Sequence, residues 1–154
     1  MSEQKASEAY EEFFTYQNNI GQTSFWVTDD NDDDATLVVN FAGEDNTIHQ
    51  GALYQAKFKF TEKYPQEKPQ GAFCQPAPYH CNIKEDGYFC LQYYNNWNSK
   101  CSFFELVEIL NHFIYDPNPS SPLRSEIARE MKENIQLYEQ KVKNQASDCR
   151  SKFQ

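Results

Sequence analysis

A long segment without clear periodicity, residues 75–100, separates two parts of the chain that follow different patterns. Before it lie short runs of β-branched or alternating residues, typical of strands, and after it apolar residues recur at helical spacing. A long irregular segment in a compact domain is usually either functional or disordered. This one contains six aromatic residues, whose large rings favour packing against a core. We therefore predict an ordered, irregular segment that carries functional residues.

The part before this segment predicts one helix followed by four strands. Residues 6–18 place alanine and aromatic side chains on one helical face, with Glu8, Glu11 and Glu12 largely off that face. The predicted strands cover residues 24–28, 36–41, 53–60 and 71–75. Short links between consecutive strands indicate an antiparallel meander.

An acidic run, residues 29–34, lies between the first two predicted strands. A calcium-binding loop starting at Asp29 would need glycine at its sixth position and glutamate at its twelfth. Asp34 and Asn40 occupy those positions instead. We therefore interpret the run as an acidic hairpin loop exposed to solvent.

Two helices are predicted after the irregular segment. Ser102 and Glu105 have the spacing of a capping box, in which the serine hydroxyl accepts from the Glu105 amide and the glutamate reaches back to the Ser102 amide. The second helix is expected over residues 125–145, and the polar residues 146–154 are expected to fray. The prediction is one α+β domain, residues 6–145: an N-terminal helix, a four-stranded antiparallel meander, an irregular segment and two C-terminal helices.

Charge and composition exclude several classes of function. The net charge of -9 argues against nucleic acid as a partner, because phosphate binding needs clustered cations. Apolar runs fall well short of the ~20 residues that span a membrane, and the first residues lack the pattern of a signal peptide. We therefore expect no membrane insertion and an intracellular location, cytoplasmic or nuclear.

The five cysteines are expected to be reduced thiols, because their number is odd and a secretory leader is not evident. The potential ligands around the irregular segment match no standard zinc spacing, so neither a metal nor another cofactor is predicted. These potential ligands are Cys74, His80, Cys81, Cys90 and Cys101.

Cys90, His80 and Asn82 are the candidates for chemistry within the irregular segment. A thiol can carry an acyl group, and an amide can stabilise the oxyanion formed when that group moves. Cys90 has two apolar neighbours, so a packed, inert thiol is an alternative, as is a hydrolase that pairs Cys90 with His80 or His112. His80 either fixes backbone groups of the loop or takes part in catalysis, and Asn82 is a turn residue, an oxyanion donor or both.

The order and spacing of five short motifs are the strongest functional signal. Two of them, His80-Cys81-Asn82 and Gly87-Tyr88-Phe89-Cys90-Leu91, place the cysteine ten residues after the histidine. The chain thereby resembles the ubiquitin-conjugating enzymes, which carry His-Pro-Asn and then Gly-x-x-Cys-Leu at the same spacing. The resemblance covers roughly residues 6–143, and its further matches are Tyr64-Pro65, Trp97 and the sequence Asp-Pro-Asn-Pro-Ser-Ser-Pro-Leu of residues 116–123.

This resemblance implies the fold of that family and a specific reaction. Cys90 would accept ubiquitin, or a ubiquitin-like protein, as a thioester from an activating enzyme, and a lysine amine would then attack it. Asn82 would support the loop and stabilise the tetrahedral oxyanion of the transfer step, and His80 is the histidine of the same motif. Ser121 matches the position where many members carry an acidic residue. The implied partners are the modifier, the activating enzyme and a ubiquitin ligase.

Several residues depart from the family's pattern, and they favour a second hypothesis. Cys81 replaces the proline, Gln92 stands where an aspartate is frequent, and the first helix is acidic where many members use basic residues to dock the activating enzyme. Gln66 and Ser99-Lys100 replace an aromatic and a small apolar pair. The alternative is therefore a non-catalytic, conjugating-enzyme-like domain that serves as a structural or adaptor subunit of a larger complex.

Overall fold

The computed structural model describes residues 1–21 and 23–154. The chain begins with a helix, continues through a four-stranded sheet and ends with helices, so the predicted α+β fold is confirmed. The elements are α1 (Ser2–Ile20), β1 (Phe25–Asp30), β2 (Asp33–Ala42), β3 (Leu53–Lys59), β4 (Gln70–Phe73), α2 (Gln92–Asn95), α3 (Phe103–Tyr115), α4 (Ser125–Glu133) and α5 (Ile135–Phe153). None of the helices in the described part of the chain is long and apolar enough to cross a membrane.

The sheet is an antiparallel meander with the strand order β1-β2-β3-β4, as predicted. One row of paired residues, Val27, Val39, Ala56 and Phe73, crosses all four strands. Residues that stand opposite one another in neighbouring strands point to the same face of a sheet. All four side chains of this row are buried, so this is the face that packs against the core. This row therefore fixes the register of the face that packs against the helices.

Aromatic side chains join α1, α3 and the sheet. The ring of Phe13 on α1 lies 5.2 Å from Phe104 and 6.1 Å from Phe103 on α3, and 6.1 Å from Phe25 on β1. Phe103 also packs edge-on against Phe58 of β3, with ring centroids 5.7 Å apart. The many aromatic side chains of the chain thus fill the core against which the irregular segment packs.

The prediction of an acidic loop at residues 29–34 is largely wrong, because β1 and β2 extend into this run. The turn between the two strands is confined to residues 31–32. Lysines of β3 neutralise two of the carboxylates: Lys57 Nζ lies 3.4 Å from Asp30, and Lys59 Nζ lies 3.2 Å from Asp33. These cross-strand ion pairs let aspartates, which usually avoid strands, remain in the sheet.

The last predicted helix is two helices, with a break at Asn134. The Asn134 side chain accepts a hydrogen bond from the Leu137 amide and caps α5, which is the preferred use of asparagine at a helix start. Residues after 145 were expected to fray, but α5 continues to Phe153, and Ala146 and Cys149 are buried. The apolar stripe of α5 therefore continues past the predicted end, so the expectation of fraying is wrong.

The capping box of α3 forms only in part. The Ser102 hydroxyl accepts from the Glu105 amide at 3.1 Å, as predicted. Glu105 does not cap the Ser102 amide; that amide instead donates to the Tyr93 hydroxyl at 3.1 Å, and this hydroxyl donates to Glu105 Oε2 at 3.2 Å. α2, a single turn that was not predicted, supplies Tyr93 and so connects the irregular segment to α3.

Candidate active site

A short antiparallel ladder, residues 82–84 against 88–90, positions Cys90. The Cys90 amide donates to Asn82 O at 3.2 Å, the Lys84 amide donates to Tyr88 O at 2.8 Å, and Ile83 pairs with Phe89 between them. Ile83 and Phe89 are buried on one face of the ladder. On the other face Cys90 is exposed, whereas Asn82, which stands opposite it, is covered by residues 118–121.

Gly87 closes the turn of this ladder, and only glycine fits there. Its φ angle is +98°, in the region that side chains rarely adopt, and its amide donates to Lys84 O at 2.9 Å. Its carbonyl accepts from the Phe73 amide at 3.0 Å, so the turn lies directly against β4. A Cβ atom at this position would lie 1.9 Å from Phe73 O. The glycine of the sequence motif therefore docks the ladder onto the sheet.

The Cys90 thiol is exposed, which contradicts the alternative of a packed, inert thiol. The amide group of Asn95 on α2 lies within contact distance, with Nδ2 at 3.6 Å from Cys90 Sγ. Among the residues that the structure describes, none of the histidines forms a hydrogen bond with this sulfur, and His112 faces Asp116 at 3.8 Å. The hydrolase alternative therefore gains no support from the geometry.

His80 is buried, and hydrogen bonds occupy both of its ring nitrogens. Nε2 donates to Phe113 O at 2.9 Å, and Nδ1 accepts from the Asn82 amide at 3.0 Å. Burial lowers the pKa of His80 to about 4, so the ring is neutral at pH 7. This arrangement favours the structural interpretation: His80 ties the end of α3 to the backbone of Asn82.

Asn82 clamps the loop between α3 and α4, residues 116–124. Its Nδ2 atom donates to Asn118 O at 3.0 Å and to Ser121 O at 3.2 Å, and its Oδ1 atom accepts from the Asn118 amide at 2.7 Å. The side chain is 3% exposed. Asn82 therefore holds this loop through both the nitrogen and the oxygen of its carboxamide, and an oxyanion would have to replace one of the two carbonyls as acceptor.

Cys81 packs into the core in the place where the resembling family has proline. Its side chain is fully buried in a small cluster with Ile127 of α4 and Tyr138 and Val142 of α5. Its carbonyl accepts from two successive amides of the loop, Leu123 at 2.8 Å and Arg124 at 3.0 Å. Its thiol donates to Asn82 Oδ1 at 3.3 Å, and burial raises its pKa, which keeps it protonated. These contacts restrain the loop by means that do not require a proline ring.

Ser121 lies in the clamped loop with an exposed side chain. Its backbone carbonyl is one of the two acceptors for Asn82 Nδ2. Asn82, His80 and Ser121 belong to one hydrogen-bonded network, and the Cys90 amide joins it through Asn82 O. The structure thus brings together the loop and the ladder on which the predicted site residues lie.

Sequence reasoning missed the residues that surround this network. α2 escaped prediction because one turn is too short to show helical periodicity, and with it Asn95 was missed. The side chains of Lys84 and Tyr88 also accompany Cys90 on the outward face of the ladder. No sequence pattern indicates this face, because residues 88–91 are all apolar or aromatic; the alternation of buried and exposed residues over 87–91 is visible only in the structure.

Comparisons with known proteins show which family the chain is similar to. A family model described as "Ubiquitin-conjugating enzyme" matches residues 9–146. The chain is 35% identical over 119 residues to "Ubiquitin-conjugating enzyme E2-23 kDa" of Triticum aestivum, an alignment that covers 73% of this chain and 62% of that protein. It is 32% identical over 119 residues to "Ubiquitin-conjugating enzyme E2 6" of Arabidopsis thaliana, covering 73% of this chain and 63% of the relative.

A vertebrate relative shows the same likeness at lower identity. "Ubiquitin-conjugating enzyme E2 T" of Danio rerio is 30% identical over 112 residues, covering 70% of this chain and 57% of that protein. The chain therefore spans less than two thirds of the length of these relatives. The matched region contains the ladder, the clamped loop and the candidate cysteine.

Proposed function

Because the chain belongs to the ubiquitin-conjugating enzyme family, we propose that it carries ubiquitin, or a ubiquitin-like protein, as a thioester on Cys90 and transfers it to a lysine amine. The observation that supports this most is the exposed thiol of Cys90, a residue whose backbone amide donates to Asn82 O within the ladder. An accessible thiol is what exchange with a second, protein-bound thioester requires.

The proposed reaction has two acyl transfers. The Cys90 thiolate attacks the thioester that joins the modifier to the activating enzyme; a new C–S bond forms, the old one breaks, and the enzyme's thiolate leaves. A deprotonated lysine amine then attacks the thioester on Cys90, forms a C–N bond and expels the Cys90 thiolate, and the amine proton passes to solvent. Each step goes through a tetrahedral oxyanion, which a nearby amide donor would stabilise.

Asn82 is proposed to act in this reaction through the loop it holds and as an oxyanion donor. Its Nδ2 protons are aimed at Asn118 O and Ser121 O, so donation to an oxyanion requires one of these bonds to open during the transfer. Ser121 supplies polarity without charge beside the incoming amine, and His80 keeps the Asn82 backbone in place. The clamp is therefore proposed to adjust once in each catalytic cycle.

The activating enzyme and a ubiquitin ligase are proposed as partners, with a charge pattern that departs from many family members. Glu8, Glu11 and Glu12 are exposed on α1. Partial burial and, to a smaller extent, the nearby Glu105 carboxylate raise the pKa of Glu12. A partner that docks here is expected to present a basic surface.

The proposal is tested by charging the protein with ubiquitin. We expect that incubation with activating enzyme, ATP and ubiquitin yields an adduct on a non-reducing gel that disappears on reduction. Cys90→Ala should lose this adduct, whereas Cys101→Ala, a change at another cysteine that is not buried, should keep it.

Failure of this experiment would favour the adaptor hypothesis. If ubiquitin and several ubiquitin-like proteins, each with its own activating enzyme, yield no adduct, the catalytic proposal is wrong. Recovery of the native protein in one large, stable complex would then identify the chain as a structural or adaptor subunit. An adduct that persists in Cys90→Ala would place the acceptor on a different cysteine.

A further inference from the structure

Asn95 places an amide donor directly at the candidate sulfur. Its Nδ2 atom donates to Cys90 Sγ at 3.6 Å, and within the described residues this is the only hydrogen bond that its side chain makes. The Asn95 side chain is exposed, as the Cys90 thiol is. In the part of the chain described here, the carboxamide therefore has no second bond to break before it moves.

The backbone that carries this donor is fixed. Asn95 is the last residue of α2, and its amide donates to Leu91 O at 2.9 Å. The preceding residue, Tyr94, is buried; its hydroxyl donates to Pro69 O at 2.7 Å and accepts from the Gly71 amide at 3.0 Å. A donor on a fixed backbone needs little reorganisation when charge develops beside it, which is the condition for effective electrostatic stabilisation.

Asn95 is more readily available as a donor than Asn82. The two carbonyls that Asn82 Nδ2 contacts, those of Asn118 and Ser121, belong to the clamped loop, and the Asn82 side chain is 3% exposed. An oxyanion has to displace one of these carbonyls before it can bind to Asn82. The Asn95 donor is bonded to the sulfur itself, which is the atom that carries the acyl group in the proposed reaction.

A donor in contact with Cys90 Sγ is close to the atoms that react. The carbonyl carbon of a thioester is bonded directly to the sulfur, and its oxygen lies one bond further. A rotation of the Asn95 side chain can therefore turn Nδ2 from the sulfur to this oxygen, where stabilising donors lie about 2.7–3.1 Å away. Asn95 also lines an open cleft of about 430 Å³ with Gln70 and Trp97, which leaves its carboxamide room to turn.

We propose that Asn95 is a catalytic residue of the transfer and that its Nδ2 atom donates to the tetrahedral oxyanion on Cys90, as a second donor beside Asn82. The inference rests on the function proposed above. A lysine amine attacks the thioester carbonyl, a C–N bond forms, and an electron pair of the C=O bond moves to the oxygen, which accepts from Asn95. The C=O bond then re-forms, the C–S bond breaks, Cys90 leaves as a thiolate and the amine proton passes to solvent.

The same side chain also stabilises the leaving group. When the C–S bond breaks, the negative charge passes to Sγ, and Nδ2 returns to the contact with the sulfur that the structure shows. Hydrogen bonds to charged acceptors are stronger than those to neutral ones. Asn95 therefore stabilises the oxyanion and the departing thiolate more than the neutral thioester, and only such a difference between states lowers a reaction barrier.

The test is a single-turnover discharge of the full chain, charged with ubiquitin and freed of ATP. Hydroxylamine is the acceptor, because it is largely unprotonated at neutral pH and needs no docking site on the protein. We expect Asn95→Ala, normalised to the thioester formed, to discharge about tenfold more slowly than the parent protein, or slower still. Asn96→Ala, a change at the exposed asparagine next to it, should discharge at the parent rate.

Asn95→Asp distinguishes donation from a merely structural contact. The ionised carboxylate has nearly the shape of the carboxamide, but it cannot donate a hydrogen bond, and its charge repels the oxyanion and the thiolate. We expect this variant to discharge more slowly than Asn95→Ala, whereas a structural role would leave it close to the parent rate. Urea unfolding should give the parent midpoint for both variants, because the side chain is exposed.

The outcomes separate this inference from the proposed function. If a thioester forms on Cys90 and Asn95→Ala discharges at the parent rate, the inference about Asn95 is wrong and the conjugating function stands. The same conclusion holds if Asn95→Asp discharges faster than Asn95→Ala, or if Asn96→Ala is slowed as much as Asn95→Ala. If no thioester forms on Cys90 at all, both proposals are wrong.

Discussion

At the scale of single residues, Asn82 joins parts of the chain that are far apart in sequence. Its carboxamide makes three hydrogen bonds to Asn118 and Ser121, more than thirty positions away. Its own amide is fixed by His80, and its carbonyl holds the Cys90 amide. A change at Asn82 is therefore expected to alter the loop and the transfer step together.

Two substitutions at Asn82 separate these effects. Asn82→Ala removes the clamp and the amide donor, so we expect thioester formation to survive while discharge to free lysine slows by about 10²-fold or more. Asn82→Asp keeps an oxygen for the Asn118 amide but places a carboxylate oxygen against two carbonyls. Single-turnover discharge and hydrogen exchange of residues 116–124 measure the two effects. Equal discharge in all three proteins would remove Asn82 from the reaction.

Two buried histidines make stability depend on pH. Burial lowers the pKa of both His80 and His49 to about 4, against an unfolded value near 6.5. Both stay neutral in the folded protein, and His49 Nδ1 lies 2.6 Å from the Tyr54 hydroxyl. The stability they contribute is complete above pH 6.5 and is lost as the pH falls toward 4, because the unfolded chain then binds more protons.

As the pH falls from about 6.5 to about 4, each of these two histidines is expected to lower the free energy of unfolding by on the order of 3 kcal/mol. Urea unfolding at several pH values measures this dependence. His49→Gln keeps a polar group but cannot bind a proton in this range, so its curve should be flatter. A free energy of unfolding that is constant from pH 7 to 5 would contradict the buried, neutral state of both rings.

At the scale of elements, the last turns of α5 hold the irregular segment that leads from β4 into the active site. Gln145 Nε2 donates to Ala77 O at 2.7 Å, and the Cys149 thiol donates to Pro76 O at 3.1 Å. Arg150 reaches Gly51 O in the link between β2 and β3 at 3.1 Å. The helix therefore fixes residues only a few positions before His80.

Cys149→Ala is expected to lower the free energy of unfolding by about 1–3 kcal/mol, because it leaves a small cavity and removes a donor to a partly buried carbonyl. Lys152→Ala, an exposed position of the same helix, should change it by less than about 0.5 kcal/mol. Urea unfolding of the two variants is the measurement. A Cys149→Ala protein as stable as the parent would show that the end of α5 frays after all.

At the scale of the whole molecule, the burial of the five thiols predicts how fast each reacts. Cys90 is exposed, Cys74 and Cys101 are partly buried, and Cys81 and Cys149 are fully buried. Burial raises the pKa of Cys149 to about 12, which further suppresses its thiolate. Buried thiols can react only when the core opens, so their reaction reports the unfolding of the entire domain.

We expect an aromatic disulfide reagent to titrate Cys90 in the first, fast phase under native conditions. Cys81 and Cys149 should react only when urea unfolds the protein, at the midpoint seen by circular dichroism. Cys90→Ala should abolish the fast phase. A fast phase that persists in this variant, or rapid native reaction of all five thiols, would contradict the assigned burial.

The sequence by itself determined the class of the fold, the positions of the sheet and of α3, and the identity of the candidate cysteine. These features depend on patterns among neighbouring residues: alternation in the strands, apolar spacing in the helices and the fixed interval between His80 and Cys90. Only the tertiary structure decided what the side chains do, because each partner lies in another element. In the structure the His80 ring bonds to Phe113 O, and the Tyr93 hydroxyl accepts from the amide of Ser102, the N-cap residue of α3. Lys84 lies on the face of the ladder that carries the Cys90 thiol.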